Sequence, residues 1–218
     1  MRLVLFDLDG TITYRDTLFP YVTGFLAHAH RSRLRMARLV PTLAAFAVGA
    51  ADHGAVKSSF IRATLRGATR PQLRAWSDEF VPRIIALGSS PAALAMVQAH
   101  REAGDVLVLL SASTDLYVPQ IGQALGFNEV ICTGVAFDAA GQLDGALTTP
   151  NRRGAEKVRC FQALKQQHPG LESVAYGNAG SDLAHLALAD VPRLVNASPR
   201  TRRLAQAMGI APFASWLT

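Results

Sequence analysis

Short apolar runs that end in polar or small residues recur along the chain. The first, Leu3 to Asp9, ends in acidic residues next to Gly10, a pattern typical of a buried parallel strand that leads into a loop. Four further runs have the same character: Val106 to Leu110, Val130 to Cys132, Ser173 to Tyr176 and Arg193 to Val195. Together the five runs predict the strands of one sheet.

Helical patterns separate most of these strands. Three of them end at glycine or proline signals: Pro91 to Ala103, Asp115 to Leu125 and Ala155 to His168. The alternation predicts an α/β fold, a doubly wound Rossmann-like parallel sheet with helices on both faces and ligands beyond the carboxyl ends of the strands. Residues 138–141 lie between two short apolar segments and predict a hairpin on the edge of this sheet.

Residues 17–88 interrupt the alternation, because they contain long helical patterns and no convincing strand. They predict an all-helical cap of three or four helices, whereas residues 1–16 and 89–218 form the core domain. The longest stretches of the cap without Lys, Arg, Asp or Glu are Thr17 to His30 and Leu39 to Ala51. Both are shorter than the roughly 20 residues that a bilayer-spanning helix needs.

Charge is distributed unevenly over the 218 residues. The net charge is +6, and residues 28–74 contain nine Arg or Lys and a single acid, Asp52. Such a segment suits a phosphorylated metabolite, an anionic membrane surface or nucleic acid, and it equally suits a solvated helix face. The apolar stretches beside Arg31, Arg33, Arg35 and Arg38 favour a peripheral membrane contact among these partners, and nucleic acid is not expected.

Neither the N-terminal segment nor the cysteines suggest secretion. The apolar run before Asp7 is too short for a signal peptide, so the sequence predicts a cytoplasmic protein. Cys132 and Cys160 are far apart and lack a CxxC or Cys/His context, which favours reduced thiols over a disulfide or a zinc site.

The segment Phe6-Asp7-Leu8-Asp9-Gly10-Thr11 carries the most chemical information, because two carboxylates follow a buried strand two residues apart. A simple Asp-Gly turn is one interpretation. A calcium loop of the EF-hand type is another, but that loop requires an acid or Asn at its fifth position and Glu at its twelfth, where this chain has Thr11 and Leu18.

The same segment resembles the nucleophile motif of the haloacid dehalogenase-like (HAD) superfamily, and further segments resemble the other motifs of that superfamily in the same order. The helical segment between the first two motifs resembles the cap of the phosphoserine phosphatase subgroup. The remaining motifs are Val108 to Ser113, Arg153 to Lys157 and Tyr176 to Asp182.

This resemblance implies a phosphatase that forms an aspartyl-phosphate on Asp7. It implies that Asp9 protonates the leaving group and then activates water, while Lys157 offsets charge on the phosphoryl group. Ser111 and the backbone N–H near Ala112 would bind a phosphoryl oxygen. The cofactor implied is Mg²⁺, which neutralises a doubly charged phosphate that would otherwise repel the attacking carboxylate.

The resemblance also implies a metal site formed by Asp7, Asp9 through its backbone carbonyl, Asn178 and Asp182. Many relatives have an aspartate at the position of Asn178, so the neutral amide predicts weaker Mg²⁺ binding rather than loss of activity.

Two further residues are candidates for contact with a small phosphorylated substrate. Asp16 follows Asp7 by nine residues, where relatives carry an acid near the substrate, although an N-cap of the first cap helix explains it equally well. Arg153 precedes Lys157 in a polar loop and would line the entrance together with Asn151.

Two alternatives to a phosphatase stay open at this point. A phosphomutase or phosphotransferase would use the same aspartyl-phosphate and return the group to an acceptor other than water. A non-catalytic protein that binds anionic lipid or nucleic acid could also retain this scaffold, with Asn178 as a trace of lost activity.

Overall fold

A five-stranded parallel sheet forms the centre of the molecule. The computed structural model describes residues 1–211 and Phe213, and the strand order in the sheet is β3-β2-β1-β6-β7. The strands of the described residues are β1 (Leu3–Phe6), β2 (Val106–Thr114), β3 (Glu129–Thr133), β4 (Val135–Phe137), β5 (Leu143–Leu147), β6 (Ser173–Gly177) and β7 (Val191–Leu194). The predicted α/β fold is confirmed.

Alternate residues of the central strands enter two separate hydrophobic clusters, one on each face of the sheet. In β1, Val4 and Phe6 belong to one cluster, and Leu3 and Leu5 belong to the other. Because successive strand residues point to opposite faces, a strand with no polar position is buried on both sides. Helices cover both faces: α5 (Pro91–Glu102) and α6 (Val118–Leu125) on the first, and α7 (Ala155–Gln167), α8 (Leu183–Leu186) and α9 (Pro199–Ala207) on the second.

Residues 18–88 form helices and, as described, contain no strand of the sheet. The helices are α1 (Leu18–His28), a 3₁₀ helix (Arg33–Leu39), α2 (Val40–Ala47), α3 (His53–Leu65) and α4 (Arg70–Gly88). Thr69 caps α4, in a capping box with Gln72. We refer to residues 17–88 as the cap, and their division from the core as a separate domain stays a prediction.

Aromatic residues connect the cap to the core. Tyr21 of α1 stacks on Tyr117 before α6, with ring centroids 4.5 Å apart, and Trp76 and Phe80 of α4 join the same cluster. The Trp76 indole donates a hydrogen bond to the Tyr21 carbonyl at 3.0 Å, which satisfies its buried N–H. The cap is therefore packed on the face of the sheet that Val4 and Phe6 occupy.

The hairpin differs from the sequence prediction in its position. Strands β4 and β5 pair only with each other, as an antiparallel two-stranded sheet, and do not extend the edge of the central sheet. Leu143 exchanges backbone hydrogen bonds with Gly67 and Ala68 of the cap, and Ser58 of α3 donates to the Gly145 carbonyl at 2.8 Å. The hairpin therefore packs against α3 of the cap.

No helix within residues 1–211 combines the length and apolar character that crossing a membrane requires.

Replacement of Gly145 by alanine should destabilise the contact between the hairpin and α3. Gly145 has φ +94°, and a Cβ there would lie 2.6 Å from the Arg62 Cα, where backbone cannot move aside cheaply. We expect Gly145→Ala to lower the free energy of unfolding by about 2 kcal/mol or more in urea denaturation. Gly141→Ala is the matched control, since φ is +71° but nothing lies within 4 Å, and it should cost only about 1 kcal/mol. Equal losses in the two variants would contradict the packing contact.

Candidate active site

A buried lysine joins two carboxylates at the carboxyl edge of the sheet. Asp7 directly follows β1, Asp182 precedes α8, and Lys157 lies in the first turn of α7. The Lys157 Nζ donates to Asp7 Oδ1 at 2.7 Å and to Asp182 Oδ1 at 2.8 Å, and all three residues are at most 7% exposed. The parallel strands bring together residues that are 150 positions apart in sequence.

The two carboxylates of this triad differ in how well their charge is stabilised. The charge and hydrogen bond of Lys157, with the backbone N–H of Ala179 at 3.0 Å, hold the pKa of Asp182 below its usual value despite burial. Asp182 Oδ2 also accepts the backbone N–H of Asn178, at 3.2 Å. Among the described residues, Asp7 receives only the Thr11 hydroxyl in addition to Lys157. Burial, together with the charges of Asp182 and Asp9, raises the pKa of Asp7 to about 7.

Lys157 itself stays charged. Burial disfavours the ammonium, but the charges and hydrogen bonds of Asp7 and Asp182 outweigh that effect and raise the pKa of Lys157 above its usual value. One positive charge is thus shared between two carboxylates.

Asp9 links the core to the start of the cap. Its Oδ1 accepts the backbone N–H and the hydroxyl of Thr17, at 2.7 and 2.6 Å, and its Oδ2 accepts the Ser113 hydroxyl at 2.6 Å. The Thr17 hydroxyl also contacts the Tyr117 hydroxyl at 2.8 Å. Burial and the charge of Asp16 raise the pKa of Asp9, and the hydrogen bonds from Ser113 and Thr17 offset that rise only in part.

Gly10 allows the loop after β1 to approach the loop after β6. Its φ is +81°, and a Cβ there would lie 2.0 Å from the Asn178 Nδ2. The Asn196 side chain donates to the Gly10 carbonyl at 2.9 Å and fixes the loop from the other side. Because any larger residue would displace Asn178, glycine is required for Asn178 to line the same pocket as Asp7.

At the end of β2, Ala112 and Ser113 line the pocket. Ser111 is fully buried, and its Oγ accepts the backbone N–H of Ser113 at 3.0 Å. The structure thus places Ser111 in the wall behind the pocket, and its contact with a phosphoryl oxygen stays a prediction.

Helix α3 of the cap contributes a second lysine to the site. The Lys57 ammonium donates to the Ala112 carbonyl and to Asn151 Oδ1, the latter at 2.6 Å. Burial lowers the pKa of Lys57 to about 8, although the charges of Asp9 and Asp16 oppose the shift. One turn earlier on the same helix, His53 also lines the pocket.

The two residues predicted to contact substrate lie at the pocket. Asp16 lines it and at the same time accepts the Phe19 backbone N–H at 2.9 Å, so its two interpretations from the sequence are compatible. Arg153 is exposed at the rim, beside Asn151. The side-chain oxygen of Asn151 accepts a hydrogen bond from Lys57.

The cavity enclosed by these residues has a volume of about 190 Å³. Carboxylates at four positions (Asp7, Asp9, Asp16 and Asp182) face three cations (Lys57, Lys157 and Arg153). The fixed charges alone therefore do not offset a doubly negative phosphate.

The residues present fit a hard divalent cation such as Mg²⁺. The candidate ligands are all oxygen atoms: the Asp7 carboxylate, the Asp9 carbonyl and the Asn178 amide. The raised pKa of Asp7 indicates that this carboxylate lacks the positive charge that its burial requires. Asp182 is less available, because it accepts three hydrogen bonds, two of them from backbone N–H groups, whereas Asp7 accepts two. The described residues contain no cluster of three His, Cys, Asp or Glu side chains arranged for a metal, consistent with a site that depends on a carbonyl and an amide.

Three contributors to this geometry were not predicted from the sequence. Thr17 and Ser113 hold Asp9, and Lys57 enters from the cap. Ser113 stood within the recognised motif. One feature of the sequence could have indicated Lys57: it is the only lysine in residues 28–74, where the other eight residues of the Arg or Lys type are arginines.

Comparison with known proteins identifies the family. Residues 4–187 match the haloacid dehalogenase-like hydrolases. The chain belongs to this family. Among curated relatives, protein CicA of Caulobacter vibrioides is 31% identical over 192 residues, covering 86% of this chain and 83% of CicA. A histidinol-phosphatase of Neisseria meningitidis is 24% identical over 217 residues, covering 95% of this chain and 96% of that protein.

Two solved structures illustrate how widely this architecture occurs. A protein of unknown function from Bordetella pertussis Tohama I has a TM-score of 0.79 and 27% identity, over 97% of both chains. A phospho-aspartyl intermediate analogue of phosphoserine phosphatase has a TM-score of 0.68 and 14% identity, over 98% of this chain and 92% of that chain. The resemblance of the HAD hydrolase described here to the phosphoserine phosphatase fold is confirmed.

Removal of the central lysine should make folding strongly dependent on pH. Lys157→Met leaves Asp7 and Asp182 buried without a counter-charge and should cost about 3–5 kcal/mol at about pH 8. Both carboxyl groups would then have raised folded-state pKa values, so the folded state binds protons more tightly than the unfolded state and part of the loss should be recovered at about pH 5.

Urea denaturation at both pH values measures this effect. Lys165→Met on the same helix is the control, because Lys165 is partly exposed and pairs with Asp190 at 3.3 Å on the surface, which is worth about 0–1 kcal/mol. A Lys157→Met variant that loses stability equally at both pH values would contradict the ion triad.

Proposed function

We propose that this HAD hydrolase is a Mg²⁺-dependent phosphatase that hydrolyses a small phosphate monoester through an aspartyl-phosphate on Asp7. The observation that carries the proposal is the position of the Asp7 carboxylate, which lies on the pocket, is oriented by Lys157 and shares that pocket with Asp9 and Asn178, whose oxygen atoms suit a divalent cation. The histidinol-phosphatase and phosphoserine phosphatase relatives support the same reaction class.

In the first step, an Asp7 oxygen forms a bond to phosphorus as the bond from phosphorus to the ester oxygen breaks. Lys157 holds Asp7 Oδ1 at 2.7 Å, which leaves Oδ2, bound only to the Thr11 hydroxyl, as the oxygen for attack. The alkoxide leaves with a proton from Asp9. The raised pKa of Asp9 favours the protonated form that this role requires.

In the second step, water attacks the phosphorus of the aspartyl-phosphate, and Asp9 accepts the proton of that water. Inorganic phosphate leaves and the Asp7 carboxylate is restored, so atoms and charge balance over the two steps. Thr17 and Ser113 hold Asp9 in one place for both proton transfers.

Bound Mg²⁺ would neutralise charge on the phosphoryl group and reduce its repulsion from Asp7. Asp7, the Asp9 carbonyl and Asn178 would hold it, and Asp182 would act from behind by fixing Lys157 and the Asn178 backbone.

The cap limits the size of the substrate. Lys57 of the cap and Asp16, which directly precedes the cap, line the cavity, and Arg153 lies at its rim. The non-phosphate part of the substrate would therefore face charged groups of both signs. A cavity of about 190 Å³ suits a small phosphorylated metabolite. Water as the acceptor distinguishes this function from a phosphomutase or phosphotransferase.

Asp7→Asn should abolish phosphate release. We expect the rate to fall about a thousandfold or more, because the amide oxygen is a poor nucleophile. The measurement is inorganic phosphate released from p-nitrophenyl phosphate, phosphoserine and histidinol phosphate, with and without Mg²⁺. Asp78→Asn on the exposed surface of α4 is the control and should retain full activity. Release that needs an added acceptor alcohol would favour a phosphotransferase instead.

Asn178→Asp should strengthen Mg²⁺ binding, because it adds a carboxylate to a ligand set with few charges. The Mg²⁺ concentration at half-maximal activity should fall roughly tenfold. Asn128→Asp adds the same charge at the exposed start of β3, away from the pocket, and should leave the Mg²⁺ requirement unchanged. An identical Mg²⁺ requirement in the wild type and Asn178→Asp would remove Asn178 from the ligand set.

Lys57 should determine the alkaline limit of activity. Its pKa of about 8 means that the ammonium is present below that pH and is lost above it, so kcat/KM for a phosphate dianion should decline above about pH 8. Lys57→Arg keeps the charge and should move the decline to higher pH, whereas Lys57→Gln should lower kcat/KM about tenfold at neutral pH. Lys165→Gln, a surface control, should leave the pH profile unchanged, and a Lys57→Arg profile identical to that of the wild type would contradict this role.

A further inference from the structure

The 3₁₀ helix and α2 expose an apolar surface that nothing in the described chain covers. Neither helix contains a buried residue. This is unusual for α2, because Thr42 is its only polar residue. Twelve large hydrophobic residues are exposed in the described part of the chain, and five of them lie in this short segment. We call these five the apolar tip of the cap: Leu34, Val40, Leu43, Phe46 and Val48.

The exposure of the tip exceeds what scattered surface residues produce. Leu34 is 83% exposed and Val48 80%, and the remaining members are 37–64% exposed. Soluble monomers rarely keep large apolar side chains together on one exposed segment unless the surface binds something.

The charge around the tip restricts what that binding partner can be. Residues 17–51 contain no Asp or Glu. Arg31 and Arg35 donate to carbonyls at the C-terminal end of α3, including Thr64 O at 3.0 Å, and so anchor the 3₁₀ helix. Arg33 and Arg38 are exposed beside the apolar residues.

We propose that the apolar tip docks on an anionic membrane surface. A second copy of the chain would bring two surfaces together on which the exposed Arg33 and Arg38 outnumber the neighbouring acid, Asp52, and like-charge repulsion disfavours that contact. An anionic bilayer offers an apolar layer for the tip and negative headgroups for Arg33 and Arg38. With eight residues, α2 is about 12 Å long, far below the roughly 30 Å of a bilayer core, so it would lie within the interface.

The tip is continuous with the mouth of the catalytic pocket. The Phe46 ring lies 4.9 Å from the His53 ring, measured between centroids, and His53 lines the pocket. Docking would therefore hold the pocket close to the headgroup layer. The docking inference concerns where the protein acts and stands independently of the reaction proposed for Asp7.

Sedimentation of the full chain with lipid vesicles tests the proposal. The protein should bind vesicles of phosphatidylcholine and phosphatidylglycerol in equal parts, should bind phosphatidylcholine vesicles weakly, and should be released by salt. The double variant Arg33→Gln/Arg38→Gln should lower the affinity about 30-fold. Leu34→Ser/Val48→Ser should lower it about tenfold or more.

Matched variants on α9 separate docking from general charge and hydrophobicity. Arg200→Gln/Arg203→Gln removes the same charge from an exposed helix of the core, and Leu204→Ser/Met208→Ser removes exposed apolar side chains there. Both should bind vesicles as the wild type does. Circular dichroism and thermal unfolding establish that each variant is folded.

Four results would overturn the proposal: no vesicle binding by the wild type, equal binding to neutral and anionic vesicles, equal losses in the tip and α9 variants, or a concentration-dependent dimer that the tip variants abolish without any vesicle binding. The last result, from analytical ultracentrifugation, would identify a second copy as the occupant. Because vesicle binding is measured without substrate, its failure and a failure of the phosphatase assay are distinct results.

Discussion

One positive charge shared between two buried carboxylates organises this protein. Lys157 reaches Asp7 and Asp182 from a helix that follows neither of their strands directly, so the contact forms only when β1, β6 and α7 are all in place. Burying these groups is favourable only as a set, since any one of them alone would be an uncompensated charge. The same shortage of positive charge around Asp7 suits the site to a divalent cation, and a phosphate dianion would need that added charge to approach Asp7, so stability and chemistry depend on a single electrostatic balance.

Much of the central fold followed from local sequence patterns. The apolar runs that begin at Leu3, Val106 and Ser173 form neighbouring parallel strands. They could be recognised because parallel strands are buried on both faces of the sheet and therefore have few polar positions. The hairpin was recognised but misplaced. The turn residues that predict the hairpin are local in sequence, whereas the element it packs against, α3, is distant. The hydrogen bonds of Leu143 with Gly67 and Ala68 cannot be read from the sequence of the hairpin.

The candidate site divides in the same way. Asp7, Asp9, Lys157, Asn178 and Asp182 could be identified because family motifs fix them relative to strand ends, and the structure brings them to one pocket. Lys57 could not be assigned to the site from the sequence, because its position depends on how a cap helix packs against the core. Its hydrogen-bond partner Ala112 is 55 residues away in sequence. Ser111 and Ser113 illustrate a finer limit: one motif contains both, the sequence pointed to Ser111, and only the structure shows that the Ser113 hydroxyl reaches Asp9.

The contact between the hairpin and α3 has a consequence for how such enzymes diverge. Residues 135–147 belong to the core part of the chain, yet through Ser58 and the close approach of Gly145 to Arg62 they fix the helix that carries His53 and Lys57. The depth to which the cap lysine enters the pocket is therefore set partly by a two-stranded element outside the pocket. Insertions or substitutions in that element could retune substrate preference while every motif residue stays the same.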